Sequence, residues 1–217
     1  MQDSSRPAFG RSSTLGLRPR PGPAPAALAG LAFLAVAALP SPVFAHVLGG
    51  PMGGFGSGFG HPLAGFDHFL AMLAVGLWGA QMGGRAVWSL PATFPLIMCI
   101  GGVAGMLGLM PDETIRIAIA ISLIVLGGVI AARWVAPEWA ALIIVAFFAI
   151  FHGYPHGQLT LRATDPAAFT VGFVVSTGAI HILGIAVGLG LNRVWNGNLV
   201  RAMGAAIVAA GVYFLLQ

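Results

Sequence analysis

The sequence predicts an all-α integral membrane protein, a compact bundle of six transmembrane helices following a cleaved N-terminal signal peptide. Three observations predict it. Apolar residues make up 58% of the 217 and charged residues only 7%, whereas a soluble domain coats itself with about 25% charged residues. Apolar runs close to the ~20 residues that cross a hydrocarbon core recur six times. The breaks between them are short and rich in turn residues, which forces neighbouring runs to lie antiparallel. The mean hydropathy is +0.91, so lipid is the solvent for most of the chain. The expected division is a signal peptide over 1–45, a Gly-rich periplasmic segment over 46–61 and the six-helix domain over 62–216.

Arg6, Arg11, Arg18 and Arg20 form a basic n-region, Ala26 to Leu39 an apolar h-region, and Val43-Phe44-Ala45 a small-residue cleavage site. Cleavage there leaves His46 as the mature, non-cytoplasmic N-terminus. Residues 49–60 hold seven glycines in twelve positions, which argues against helix or strand. Phe55 and Phe59 are then free to touch the interface. The runs follow at 62–82, 88–110, 114–133, 137–156, 167–191 and 198–216. Gly83-Gly84, Pro111-Asp112, Ala136-Pro137, Asp165-Pro166 and Asn196-Gly197-Asn198 punctuate them.

Starting outside, the chain places Arg85, Arg133, Arg193 and Arg201 at the inner face and Arg116 and Arg162 at the outer face. That agrees with the positive-inside rule and with a multi-pass protein of a bacterial inner membrane. Trp78, Trp88, Trp134 and Trp139 flank the inner face as interfacial anchors. The formal charge of +4 comes from scattered arginines with no lysine and is no nucleic-acid signal. The single Cys99 excludes an intrachain disulfide and a thiolate cluster, and reads as a small apolar packing residue. Gly101-Gly102…Gly105, Gly172…Ser176 and Gly184…Gly188 are small-xxx-small patterns that let helix backbones approach.

Ionisable residues inside spans mark function by default, and here they cluster. His61, Asp67 and His68 open the first run. His61 and His68 share a face but stand ~10 Å apart along a straight helix. Either Pro62 and Gly65 bend the segment, or the two serve successive positions. Asp67 either binds a metal or holds an imidazole in its ligating tautomer. His152 and His156 are one turn apart in the fourth run, the spacing of bidentate metal capture. Pro155 between them favours a broken helix. His181 lies in the middle of the fifth run, where a helix–helix hydrogen bond is an equally good reading. Asp112 and Glu113 precede the third run, as solvated loop residues or metal collectors.

The topology brings His46, His61, Asp67, His68, Glu113, His152 and His156 to one outer depth, with His181 further in. Imidazole with carboxylate suits Ni²⁺, Co²⁺ or Zn²⁺ better than Mg²⁺ or Ca²⁺.

At these residues the sequence resembles the HupE/UreJ family of nickel and cobalt permeases. The resemblance rests on His61-Pro62…Gly65…Asp67-His68 and Ala71 to Trp78. It continues through Gly83-Gly84-Arg85, Pro111…Glu113, Phe151-His152-Gly153-Tyr154…His156-Gly157 and Gly172-Phe173…Thr177…His181…Gly184. It implies six spans after a signal peptide and uptake of Ni²⁺ or Co²⁺ as transported substrate, with no prosthetic group. It implies indirect supply of nickel enzymes such as hydrogenase or urease, and a metal path through His61, Asp67, His68, His152 and His156. The family's second motif continues Ala-His-Gly-x-Glu. Here Pro155 replaces the alanine and Leu159 stands where glutamate is expected, so one expected carboxylate is missing.

The expected partners are a divalent metal ion and the lipid bilayer. A homo-oligomer is left open. The chain lacks a phosphate-binding glycine loop followed by Lys-Ser or Lys-Thr, so ATP is not an internal driver. The expected activity is therefore secondary or facilitated uptake rather than enzymatic. An intramembrane Zn²⁺ hydrolase is the rival, disfavoured by the lack of a spare acid or base beside the histidines. A metal sensor or metallochaperone subunit would need extramembrane mass that the chain lacks.

Overall fold

The structure is a computed structural model describing residues 54–192 and 195–217. The expected signal peptide, the first half of the Gly-rich segment with His46, and Arg193 lie outside the described residues. Among the described residues seven α-helices follow in order: α1 (Phe55–Ala64), α2 (Phe66–Met82), α3 (Ala86–Met106), α4 (Asp112–Ala131), α5 (Glu138–Thr160), α6 (Pro166–Asn192) and α7 (Asn198–Leu215). A single 3₁₀ turn, Trp195–Gly197, precedes α7. The last five helices are each long and apolar enough to cross a membrane. The protein is thus a multi-pass, all-helical membrane protein with five such helices, or six with α1 and α2 taken as one bent span.

The expected run 62–82 is not one straight helix. α1 and α2 meet at an 82° bend. Pro62 lacks an amide proton, and Gly65 takes an extended conformation (φ −85°, ψ 97°) between the helices. Little backbone bonding is lost there. Gly65 N–H donates to the His61 carbonyl at 3.2 Å, and Phe69 N–H donates to the Gly65 carbonyl at 2.8 Å. The bend thus satisfies the demand that backbone near a membrane find internal partners.

The reading of 49–60 as non-helical fails for its last six residues, which lie in α1. Glycine serves close approach there rather than freedom. A Cβ on Gly58 would collide with the Phe169 backbone, and one on Gly172 would collide with the Phe55 carbonyl. Tertiary contact with α6 outweighs the poor helix propensity.

α2 is the centre of the molecule. Every residue from Leu70 to Ala80 is buried, the mark of a helix enclosed on all sides. Leu70, Leu73, Leu77 and Trp78 form the core with Phe94, Leu123, Leu126, Val145 and Ile207. Around α2 the helices pair tightly, α3 with α5, α4 with α7, and α6 with α1 and α2. Small residues seat each pair, as the small-xxx-small patterns predict. Cβ atoms on Gly101 and Gly105 would strike α5 backbone, those on Gly153 and Gly157 would strike α3 backbone, and Gly76 faces Gly184.

The two ends differ in chemistry. At one end lie α1, the start of α2, Asp112, Arg116, Arg162 and Asp165. At the other, Ser89 donates to Glu138 at 2.7 Å, Arg201 donates to the Ala131 carbonyl at 2.9 Å, and Arg133 to the Asn196 carbonyl at 3.0 Å. Trp88, Trp134 and Trp139 at this second end are exposed, but Trp78 is completely buried. It donates its indole N–H to the Trp134 carbonyl at 3.0 Å and stacks on that ring. Trp78 is therefore a core residue and not an interfacial anchor. Cys99 is corrected in the opposite sense: it is exposed, with Sγ 3.4 Å from the Pro95 carbonyl.

Candidate functional site

The bend at Gly65 resolves the spacing of the first pair of histidines. It places His61 on α1 and His68 on α2 on either side of His156, with ring centroids 5.0 and 4.8 Å from it. His152 is 5.1 Å from His68. α5 runs unbroken from Glu138 to Thr160, so Pro155 does not break it as expected. His152 and His156 stay one turn apart on one face, both buried.

Two imidazoles that share one ion at a metal–nitrogen distance of ~2.0–2.1 Å have centroids about 5 Å apart. The neighbouring rings stand at that spacing pair by pair. Among the described residues, however, no three His, Cys, Asp or Glu side chains converge to hold an ion together. The site is a chain of pairs and not a closed cage, a form suited to passing an ion along.

The hydrogen bonds of Asp67 go to its neighbour His68. Its Oδ1 accepts from the His68 backbone N–H at 2.8 Å and from Nδ1–H of the same ring at 2.9 Å. Of the two roles open to Asp67, the geometry favours holding the imidazole over ligation. It leaves Nε2 of His68 as the lone-pair nitrogen, which is buried without a partner.

His181 is fifteen residues into α6, about 22 Å along its axis. Its buried ring has the Thr177 backbone carbonyl, one turn earlier, as a hydrogen-bond neighbour, while the hydroxyls of Ser176 and Thr177 are buried without partners. The Phe94 ring lies between the two levels, 5.4 Å from His152 and 5.5 Å from His181. An apolar cavity of about 190 Å³ beside His156 is walled by Pro95, Met98 and Cys99 of α3 and by Phe169 and Phe173 of α6.

Glu113 is not brought into this group. It pairs with Arg116 through two bonds of 3.0 and 2.7 Å, and Arg116 also donates to the Phe214 carbonyl. Asp112 comes no nearer than Gln158, at 3.4 Å from its amide nitrogen.

Comparison with known proteins now bears on this geometry. Residues 34–214 match the family model described as HupE / UreJ protein. The chain is also 38% identical over 185 residues to "Protein HupE" of Rhizobium leguminosarum bv. viciae, covering 84% of this chain and 95% of that protein. The chain belongs to the HupE/UreJ family. This family comprises membrane proteins of transporter type and not enzymes. No solved structure matches this HupE/UreJ protein.

Sequence reading missed two residues of this HupE/UreJ site. Phe94 gave no signal because one Phe in an apolar run is ordinary. Ser122, on α4, was equally silent, yet its Oγ lies 2.9 Å from Nε2 of His152. Only the fold could bring it there. Leu159 leaves no carboxylate at that position, and the adjacent Thr160 donates its hydroxyl to the His156 carbonyl at 2.8 Å. That bond steadies the backbone but supplies no charge.

Proposed function

We propose that this protein is an inner-membrane permease that takes up a divalent transition metal, Ni²⁺ or Co²⁺, by secondary or facilitated transport. One observation carries the reading: four imidazoles from α1, α2 and α5 meet at one end of a bundle whose walls are otherwise apolar. Buried polar groups without partners are costly, and a passing cation gives them one. Family membership supports the choice of nickel or cobalt, the supply of enzymes such as hydrogenase or urease, and a periplasmic site behind a signal peptide.

In this reading His61, only half-buried, receives the hydrated ion. His68 and His156 replace part of its water, His152 draws it inward, and Phe94 must yield for it to reach His181. Neutral imidazoles suit that task, because they bind a dication firmly but release it more readily than thiolates would. Uptake of labelled Ni²⁺ and Co²⁺ into proteoliposomes tests the proposal. Flux well above that of empty vesicles is expected, and its loss in His68→Ala and His156→Ala. Wild-type flux equal to that of empty vesicles overturns it.

A further inference from the structure

We propose that Ser122 is a positioning residue that selects which ring nitrogen His152 offers to the ion. This rests on the permease reading. Ser122 is completely buried on α4. Its Oγ lies 2.6 Å from the Ile119 carbonyl and 2.9 Å from Nε2 of His152.

The proton count fixes the direction of both bonds. A hydroxyl has one proton to donate, and a carbonyl can only accept. The 2.6 Å contact has the length of an O–H···O bond, so the Ser122 proton goes to Ile119. Oγ must then accept from His152, which requires the proton on Nε2. The neutral ring therefore carries its lone pair on Nδ1. That nitrogen is buried and has no hydrogen-bond partner in the protein.

α2 carries the mirror arrangement. Asp67 holds the His68 proton on Nδ1 and leaves the lone pair on Nε2. The two rings, 5.1 Å apart, thus offer opposite nitrogens: Nε2 from His68 and Nδ1 from His152. One is set by a carboxylate and the other by a serine–carbonyl relay from a third helix. α4 brings no histidine of its own to the pathway. Its contribution is to stop His152 from turning over or exchanging its tautomer between ions. Outer-shell partners of metal-binding imidazoles contribute about 10- to 100-fold in affinity, and the same size of effect is expected here.

The test uses the full chain, wild type and the variants Ser122→Ala, Ser122→Cys and Ser122→Thr. Ni²⁺ uptake in proteoliposomes gives KM and maximal rate. Nitrogen-15 NMR of ring-labelled histidine, with His152 assigned by loss of its signal in His152→Ala, reads the tautomer without any metal. The wild type should show Nε2–H at His152. Ser122→Ala should show mixed tautomers and a KM raised about 10- to 100-fold, and Ser122→Thr should restore both. Ser122→Cys, nearly isosteric but a poor acceptor, should behave like Ser122→Ala and serves should the alanine variant fail to fold.

Nδ1–H in the wild type, or an unchanged KM in both Ser122→Ala and Ser122→Cys, overturns the role of Ser122 while transport itself stands. Absence of wild-type flux overturns the permease reading and the capture role of Ser122 together, even with the tautomer signature intact.

Discussion

Single side chains in this protein are set by the bonds that orient them. Asp67 directs its hydrogen bonds to its neighbour His68. Asp67→Ala should therefore leave four imidazoles in place yet raise the KM for Ni²⁺ by about 10- to 100-fold, as loss of a ring-orienting partner does elsewhere. Steady-state uptake checks this, and an unchanged KM contradicts it. At the opposite end, Trp78→Phe removes one buried indole bond to the Trp134 carbonyl. It should cost about 1 kcal/mol of stability, read as a lowered Tm in detergent with uptake unaffected.

At this scale the sequence was informative where a residue is out of place in lipid. His61, His68, His152, His156 and His181 declare themselves because imidazoles inside spans are rare. Ser122 does not, because a serine in a membrane helix usually bonds its own backbone. Only α5, laid alongside α4, gives it a second partner.

Among elements, the close helix pairs and the bend between α1 and α2 do most to shape the site. The α3–α5 pair rests on glycine, since a Cβ at Gly153 would run into the Met98 carbonyl. Gly153→Ala should destabilise by about 1–3 kcal/mol, the usual cost of overfilling a tight contact. It should also lower uptake, because α5 carries His152 and His156. Gly128 on α4 has nothing within 4 Å of such a Cβ. Gly128→Ala should be neutral or gain up to about 1 kcal/mol from helix propensity. Melting curves of the two variants side by side decide the matter.

Five of the long helices lie within a few residues of their expected runs, because a 20-residue apolar stretch leaves few alternatives. α1 was hidden for the converse reason. A glycine-rich stretch looks unstructured until the surface it rests on, here α6, is in view. Pro155 misled in the other direction: the surrounding bundle keeps α5 helical across a residue that favours a break.

For the whole molecule, the arrangement of ends gives direction. The histidine-bearing end also holds Arg116 and Arg162, while Arg85, Arg133 and Arg201 gather at the other. With the histidine end outward, a membrane potential of 100 mV, negative inside, favours entry of a dication by about 4.6 kcal/mol, twice the single-charge value. Imposing that potential on proteoliposomes should speed Ni²⁺ uptake, and reversing its sign should slow it. Uptake indifferent to the potential would instead point to charge-compensating counter-transport. Cysteines at Ala163 and Gly84, in a Cys99→Ala background, should react with an impermeant maleimide from opposite sides of the cell membrane.

Enclosure of α2 by its neighbours has a mechanical consequence. A rod gripped on every flank cannot slide or rotate without disturbing each helix around it, so it is suited to stand still as an axle. In the permease reading any opening and closing falls to the periphery, where α1, joined to that axle through one extended glycine, moves only together with α6, on which it is tightly seated. The first histidine is mounted on the hinged piece and the second on the fixed one, so a swing of α1 would part or join the two.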